Sequence, residues 1–396
     1  MKIEIVSMKS IMTNRDSLHN YFGWPSVARL RDGRLAAVAS GFRVYHKCPF
    51  GKGAISFSAD EGQTWSLPAV VIDTPLDDRD CGIVPFGESS VMVTCFNNGP
   101  FGDAFLHCAE KRKLHGNYIQ GYLDLMREEK NLESYWGSVY RISHDNGVTF
   151  GELKVAPVTC PHGPALLSDG SFLYVGNPIG PNMECQQNIS CYRMSQDGNF
   201  TYLCDIESPG DAYVICEPHA IALESGKIIV HIRVEQSGKV ETSDDVINTT
   251  FQCESWDGGK SFTKPHAIEG MDIRGGCPAH LINDNGVLIS VAGHRWQNPE
   301  IRAMFSFDEG ENWDTDYVVA HLPDRWCDHG YPSSVVLKDG SILTVFYGSD
   351  EGLSGEKFWA GKNSEFHEFA TPVIRQVIWR YDRFPANAGT DPGRRA

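Results

Sequence analysis

Four stretches of the chain repeat one short pattern: SADEGQTW at 58–65, SHDNGVTF at 143–150, SWDGGKSF at 255–262 and SFDEGENW at 306–313. They share Ser-x-Asp-x-Gly-x-(Thr/Ser/Asn)-(Trp/Phe). Ser195, Asp197, Gly198 and Phe200 form a weaker fifth copy with one residue missing. The chemistry of each copy is local. An aspartate suits a turn because its carboxylate accepts nearby backbone N–H groups. The glycine permits a positive φ, and the terminal aromatic can pack between neighbouring sheets. Each copy therefore reads as a rigid β-turn, with its aspartate a staple and not a catalyst. A pattern recurring along 396 residues signals a repeat architecture.

A second unit precedes each copy. WPSVARLRDGRLAAVAS (24–40) alternates apolar residues on both sides of a Gly turn, which signals a hairpin. The same form recurs as IVPFGESSVMVTCF (83–96), GPALLSDGSFLYVG (163–176), PHAIALESGKIIVHIR (218–233), PAHLINDNGVLISVAG (278–293) and YPSSVVLKDGSILTVFY (331–347). Six such units predict an all-β fold, a six-bladed β-propeller with four-stranded antiparallel blades. The blades begin near residues 20, 79, 161, 216, 275 and 329, in one domain spanning 1–384. The last blade, ending near VIRQVIWRYDR (373–383), lacks the turn motif. Blade two carries a charged insertion, 104–136, that reads as a helical excursion, and 385–396 read as a disordered tail.

Bulk properties narrow the partners. A net charge of −16 argues against nucleic acid, which selects a basic face. No 18-residue apolar run spans a membrane, and the N-terminus shows no apolar signal-peptide core, so the expected location is cytoplasmic. Twelve cysteines lack metal-ligand spacing, so no metal or other cofactor is expected and the thiols read as reduced and buried. A homo-oligomer stays open.

In a propeller the innermost strand of each blade lines a central channel, and one end of these strands converges on a cup. The hairpin starts offer His19, Asn20, Asp77 to Asp80, His162, Glu217, His219, Arg274 and Asp328 to Tyr331. The ends of the second strands add Arg43, Asn177, Arg233, Arg295 and Asp350. Arginine forks bind carboxylates bidentately. This ring of groups therefore points to an anionic, polyhydroxylated ligand, a glycan or sugar substrate.

The repeated turn resembles the Asp box of sialidases and related propellers. That resemblance implies a Tyr nucleophile paired with a Glu, an Asp acid/base and three Arg on the sugar carboxylate. A Tyr nucleophile avoids repulsion by the substrate's own carboxylate. Glu217 and Arg233, sixteen residues apart, match the order of the sialidase Glu and its second Arg. Tyr331, opening the last blade, matches the nucleophile. Arg295, ending a strand as Arg233 does, matches the third Arg better than Arg302.

Two positions depart from the pattern. Phe22-Gly23-Trp24-Pro25 has Gly where the first Arg belongs, so Arg43 or Arg79 would take its role. The loop after Arg43 holds no Asp. The acid would then be His46, with a suitable ordinary pKa, or a carboxylate of Asp77-Asp78-Arg79-Asp80, Asp78 foremost. Asp80, His162 and Arg274 join the substrate-binding candidates, although Arg274 could instead balance Glu217. The resemblance implies an exo-glycoside hydrolase acting on a terminal acidic sugar. A propeller glycosidase of other specificity and a non-catalytic glycan- or protein-binding propeller are the alternatives.

Overall fold

The computed structural model describes residues 1–44, 46, 48–98, 120, 121, 124, 128, 132–179, 188–236, 248–274, 278–295, 298–322, 329–349 and 372–382. Twenty-four strands form six four-stranded antiparallel sheets, the blades of a six-bladed propeller. Blade one is β2 (Tyr21–Arg29), β3 (Leu35–Arg43), β4 (Lys52–Ser58) and β5 (Ala69–Ile72). Blade two is β6 (Asp77–Phe86), β7 (Ser90–Asn98), β8 (Gly137–Ser143) and β9 (Lys154–Ala156). Blade three runs β10 (Ala165–Leu166), β11 (Phe172–Gly176), β12 (Ile189–Met194) and β13 (Phe200–Ile206). Blade four runs β14 (Tyr213–Ala222), β15 (Ile228–Gln236), β16 (Thr249–Ser255) and β17 (His266–Ala267). Blade five is β18 (His280–Asp284), β19 (Val287–His294), β20 (Glu300–Ser306) and β21 (Asp314–His321).

Blade six is built from both ends of the chain. Its inner strands are β22 (Gly330–Val336), β23 (Ile342–Ser349) and β24 (Pro372–Tyr381). The outer strand is β1 (Ile3–Met12), paired antiparallel with β24 from Ile3↔Tyr381 to Met12↔Ile374. The missing turn motif of this blade has a simple cause: no turn joins its third and fourth strands. The first residues, MKIEIVSMKSIM, are mostly half-exposed, so the strand lacks the clean apolar alternation that would announce it.

Each Asp box closes the turn between the third and fourth strands of blades one, two, four and five. In blade one, Ser58 Oγ donates to Asp60 Oδ1 (2.8 Å) and accepts from Gly62 N (2.9 Å). Asp60 accepts from Thr64 N (2.8 Å) and Thr64 Oγ1 (2.6 Å). These bonds, the Thr64 hydroxyl first, lower the Asp60 pKa to about 2. The weaker copy in blade three lies between β12 and β13, where Ser195 Oγ accepts from Asn199 N (3.2 Å).

The boxes also join blades. Trp65 Nε1 donates to Gln376 Oε1 (2.7 Å) in blade six, and Gln376 Nε2 donates to Gly62 O (2.9 Å). Blade five repeats the exchange onto blade four: Trp313 Nε1 to Gln252 Oε1 (2.7 Å), Gln252 Nε2 to Gly310 O (2.9 Å). Gly62 has φ +82, and a Cβ there would stand 2.4 Å from Leu343 Cδ1 of the preceding blade. Glycine is required twice over, for backbone and for space.

Most of the 104–136 insertion and all of 385–396 lie outside the described residues. A four-residue helical turn, Leu132–Tyr135, leads into β8. Among the described residues eight cysteines are free and six of them buried. No described helix is long and apolar enough to cross a membrane.

Candidate active site

The inner strands share one irregularity. In β2, β6, β14 and β22 the register slips so that two residues face one: Trp24-Pro25, Asp80-Cys81, Glu217-Pro218 and Tyr331-Pro332. The first residue of each pair has a positive φ: 53° at Trp24, 44° at Asp80, 49° at Glu217 and 48° at Tyr331. Gly163, before Pro164 in blade three, has φ 92°. A β-bulge of this kind re-aims a side chain and is common beside active sites. The left-handed conformation costs a residue with a Cβ about 1–2 kcal/mol, and glycine almost nothing.

The re-aimed side chains meet. Tyr331 Oη donates to Glu217 Oε1 at 2.6 Å. Arg233, at the end of the hairpin that Glu217 opens, reaches Glu217 Oε2 at 2.6 Å and Tyr331 Oη at 3.3 Å through one nitrogen, Nη1. Its other terminal nitrogen, Nη2, pairs with Glu235. Burial, and then the Glu217 charge, raise the Tyr331 pKa well above the ordinary phenol value. The phenol is therefore protonated at rest and aimed at a carboxylate able to take its proton. Arg295 borders the same ring: its Nε donates to His329 O (2.8 Å), its Nη2 to Tyr347 Oη (2.9 Å), and its guanidinium lies 6.0 Å from the Tyr331 centroid.

Trp24 forms the neighbouring wall. It is 2% exposed, with Arg79 stacked 4.0 Å and Arg43 4.8 Å from its ring, and it meets Tyr331 and His46 edge-on at 6.3 and 5.1 Å. Asp80 is buried. Arg79 and Arg43 favour its charge, while Glu217 and Asp77 oppose it.

Several expected site residues are placed otherwise. Arg43 is fully buried, tied to Asp77 Oδ1 (2.5 Å), Ser40 Oγ (2.7 Å) and the His46 carbonyl (2.5 Å), so it braces the wall from behind. Arg79 donates to His46 O (2.7 Å). Asp78 points away, where its carboxylate accepts from Thr74 N and Thr74 Oγ1, both at 2.7 Å. Asp78 and Asp80 are two apart on one strand, yet the bulge turns only Asp80 inward. Arg274 is half-exposed and pairs with Asp272 (2.8 Å), not with Glu217. Arg302 sits between Glu300 (2.8 Å) and Asp316 (3.3 Å) in blade five.

His162 lies in a separate layer. Its ring packs 5.6 Å from His219 and 5.1 Å from His280, and its Nδ1 faces Ser26 Oγ at 2.9 Å. Backbone N–H groups of Leu281 and Ser334 donate to Nδ1 of His219 and His280. Burial keeps all three neutral. Among the described residues no group of three or more His, Cys, Asp or Glu is arranged to hold a metal.

Gly23 stands where the resemblance expects the first arginine. A Cβ built on it would lie 3.2 Å from Tyr21 Cε1 and 3.6 Å from Tyr347 Cδ2, so tyrosine rings fill that space. Trp24, Tyr21 and Tyr347 are the site residues that sequence reasoning passed over. A signal for Trp24 exists in the sequence: Trp-Pro, Gly-Pro, Glu-Pro, Cys-Pro and Tyr-Pro recur at five of six blade openings.

No protein-family model and no curated protein matches the chain. Solved structures do. A protein of unknown function from Dyadobacter fermentans matches at TM-score 0.69 and 15% identity, over 96% of this chain and 99% of that one. The NanB sialidase from Streptococcus pneumoniae matches at TM-score 0.62 and 12% identity, over 94% and 70%. The Trypanosoma rangeli sialidase in complex with the inhibitor DANA matches at TM-score 0.57 and 14% identity; it covers 95% of this chain, which spans 59% of that longer protein. At these identities the likeness is one of fold, and the chain is built on a sialidase-like six-bladed propeller.

Proposed function

We propose that the chain is an exo-acting glycoside hydrolase of the sialidase-like kind. The observation that carries this reading is the Tyr331–Glu217–Arg233 constellation: a buried phenol 2.6 Å from a carboxylate that an arginine holds from the other side. Tyr331 Oη would attack the anomeric carbon while Glu217 takes its proton. A nucleophile and base within hydrogen-bond reach, the base oriented by a third group, is the arrangement such catalysis needs. Arg233 and Arg295 would bind the glycone beside the reacting carbon. The sialidases among the fold neighbours support the reaction class.

A second reading, a glycone with no carboxylate on the reacting carbon, is favoured by Gly23 and by the burial of Arg43. Both leave the three-arginine clamp incomplete.

The test is hydrolysis of a panel of aryl glycosides, sialosides first, by the wild type, Tyr331→Phe and Glu217→Gln. Both variants are expected to lose at least about 10²-fold in kcat/KM. Unchanged turnover in both removes the assignment. Turnover of neutral glycosides with none of sialosides selects the second reading.

A further inference from the structure

Asp80 shares its bulge position with Glu217 and Tyr331, on alternate blades of the ring. It differs from both in having no partner for one oxygen: Oδ1 is buried and meets no hydrogen-bond donor. A buried carboxylate without donors is costly, and the cost falls when it takes a proton. The groups facing it divide. Arg79 and Arg43 favour the anion, while Glu217, Asp77 and Tyr331 oppose it, and the Cys95 thiol lies nearby. Burial outweighs them all and brings the carboxyl to about 8.

We infer that Asp80 is the proton donor to the departing glycosidic oxygen, delivered from an inner strand and not from the loop that follows β3. The inference rests on the reading of Tyr331 and Glu217 as nucleophile and base. The other candidates are placed against it. His46 Nε2 faces the Arg79 guanidinium at 3.3 Å and its Nδ1 faces Tyr21 Oη at 3.3 Å, so both ring nitrogens are turned onto protein groups. Asp78 is turned onto Thr74.

The step balances. The Tyr331 Oη bond to the anomeric carbon forms as the glycosidic C–O bond breaks. The phenol proton passes to Glu217, and the Asp80 proton passes to the leaving oxygen, releasing an alcohol. Water then attacks the same carbon and gives its proton to the Asp80 carboxylate. The bond to Tyr331 breaks, and Glu217 returns the phenol proton.

Asp80→Asn is the variant of choice, because asparagine tolerates the left-handed conformation that Asp80 holds at φ 44°. A proton donor matters in proportion to the basicity of the group it helps to leave. With an activated nitrophenyl leaving group the variant is expected to lose under about 10-fold in kcat/KM. With an alkyl leaving group it is expected to lose about 10²–10⁴-fold. The alkaline limb of the wild-type rate profile, expected near the carboxyl's value of about 8, should vanish with it. A loss independent of the leaving group, with the Tyr331→Phe and Glu217→Gln controls still inactive, overturns this inference alone. Active controls overturn both readings. Isotope-edited infrared spectroscopy gives a readout without turnover: a band for a protonated carboxyl at about pH 6, absent from Asp80→Asn, supports the inference. An Asp80 already ionised there overturns it whatever the kinetics.

Discussion

Trp24, Asp80, Glu217 and Tyr331 each hold a backbone conformation that glycine adopts without strain. Blade three, with Gly163 at its bulge, shows the unstrained version. Strain of about 1–2 kcal/mol at each residue is sizeable against a typical stability of about 5–15 kcal/mol. Its return is direction: the four side chains converge on one volume. Asp80→Gly should therefore raise stability by about 1–2 kcal/mol, since it relieves strain and removes an oxygen without a donor. Urea midpoints of the two proteins measure this, and a lower midpoint would show that packing around the carboxyl outweighs both effects. The same substitution should slow turnover of alkyl glycosides by about 10²–10⁴-fold.

At the scale of the element, the Asp box does two jobs of unequal weight. The bonds from Asp60 to Thr64 are local and exposed, whereas Gln252 is buried between blades. Gln252→Ala would strip a partner from Trp313, Gly310, Glu254 and His231 together. The expected cost is about 2–4 kcal/mol, against no more than about 1 kcal/mol for Asp60→Ala, both read by chemical denaturation. Equal costs would mean that the turn, and not the joint, holds the blades. This difference also marks what the sequence discloses. The boxes and hairpins are legible because their chemistry closes within eight residues. Tyr331, Glu217 and Arg233 were legible as blade openings and strand ends. The orientation of Asp78 against Asp80 was not, because strand alternation puts both on one face and only the bulge separates them. The setting of Arg43 is hidden for a related reason: its position at a strand end is visible, but its tie to Asp77, 34 residues away, is not. Nor was the pairing of β1 with β24, which joins residues from opposite ends of the chain.

Across the whole molecule, buried titratable groups set two opposing pH limbs. His162, His219, His280 and His231 have folded pKa values below the ordinary 6.5 because they are buried, His231 at about 4. Below about pH 6.5 the unfolded chain takes protons that the folded chain refuses, so stability falls as pH falls. Asp78 and Asp80 are raised by burial to about 7 and about 8. Between about pH 4 and those values the folded chain holds protons that the unfolded chain lacks, so stability falls as pH rises. Four histidines against two carboxylates leave a net gain with pH up to about 6.5, at most about 3 kcal/mol per unit, and a decline above it to about pH 8. Urea unfolding from pH 5 to 9 should show a maximum near pH 6.5, and Asp80→Asn should steepen the acid limb. A flat profile would mean that water reaches these groups.

The pairing of β1 with β24 has a consequence for the birth of the molecule. During synthesis Ile3–Met12 leaves the ribosome well before its partner Pro372–Tyr381, which follows five blades later. At ordinary elongation rates that interval is on the order of tens of seconds. Throughout it β1 is a lone edge, and five blades can form while the ring stays open. Its half-exposed, charge-bearing sequence, with Lys2, Glu4 and Lys9, suits a segment that has to wait without pairing with a stranger.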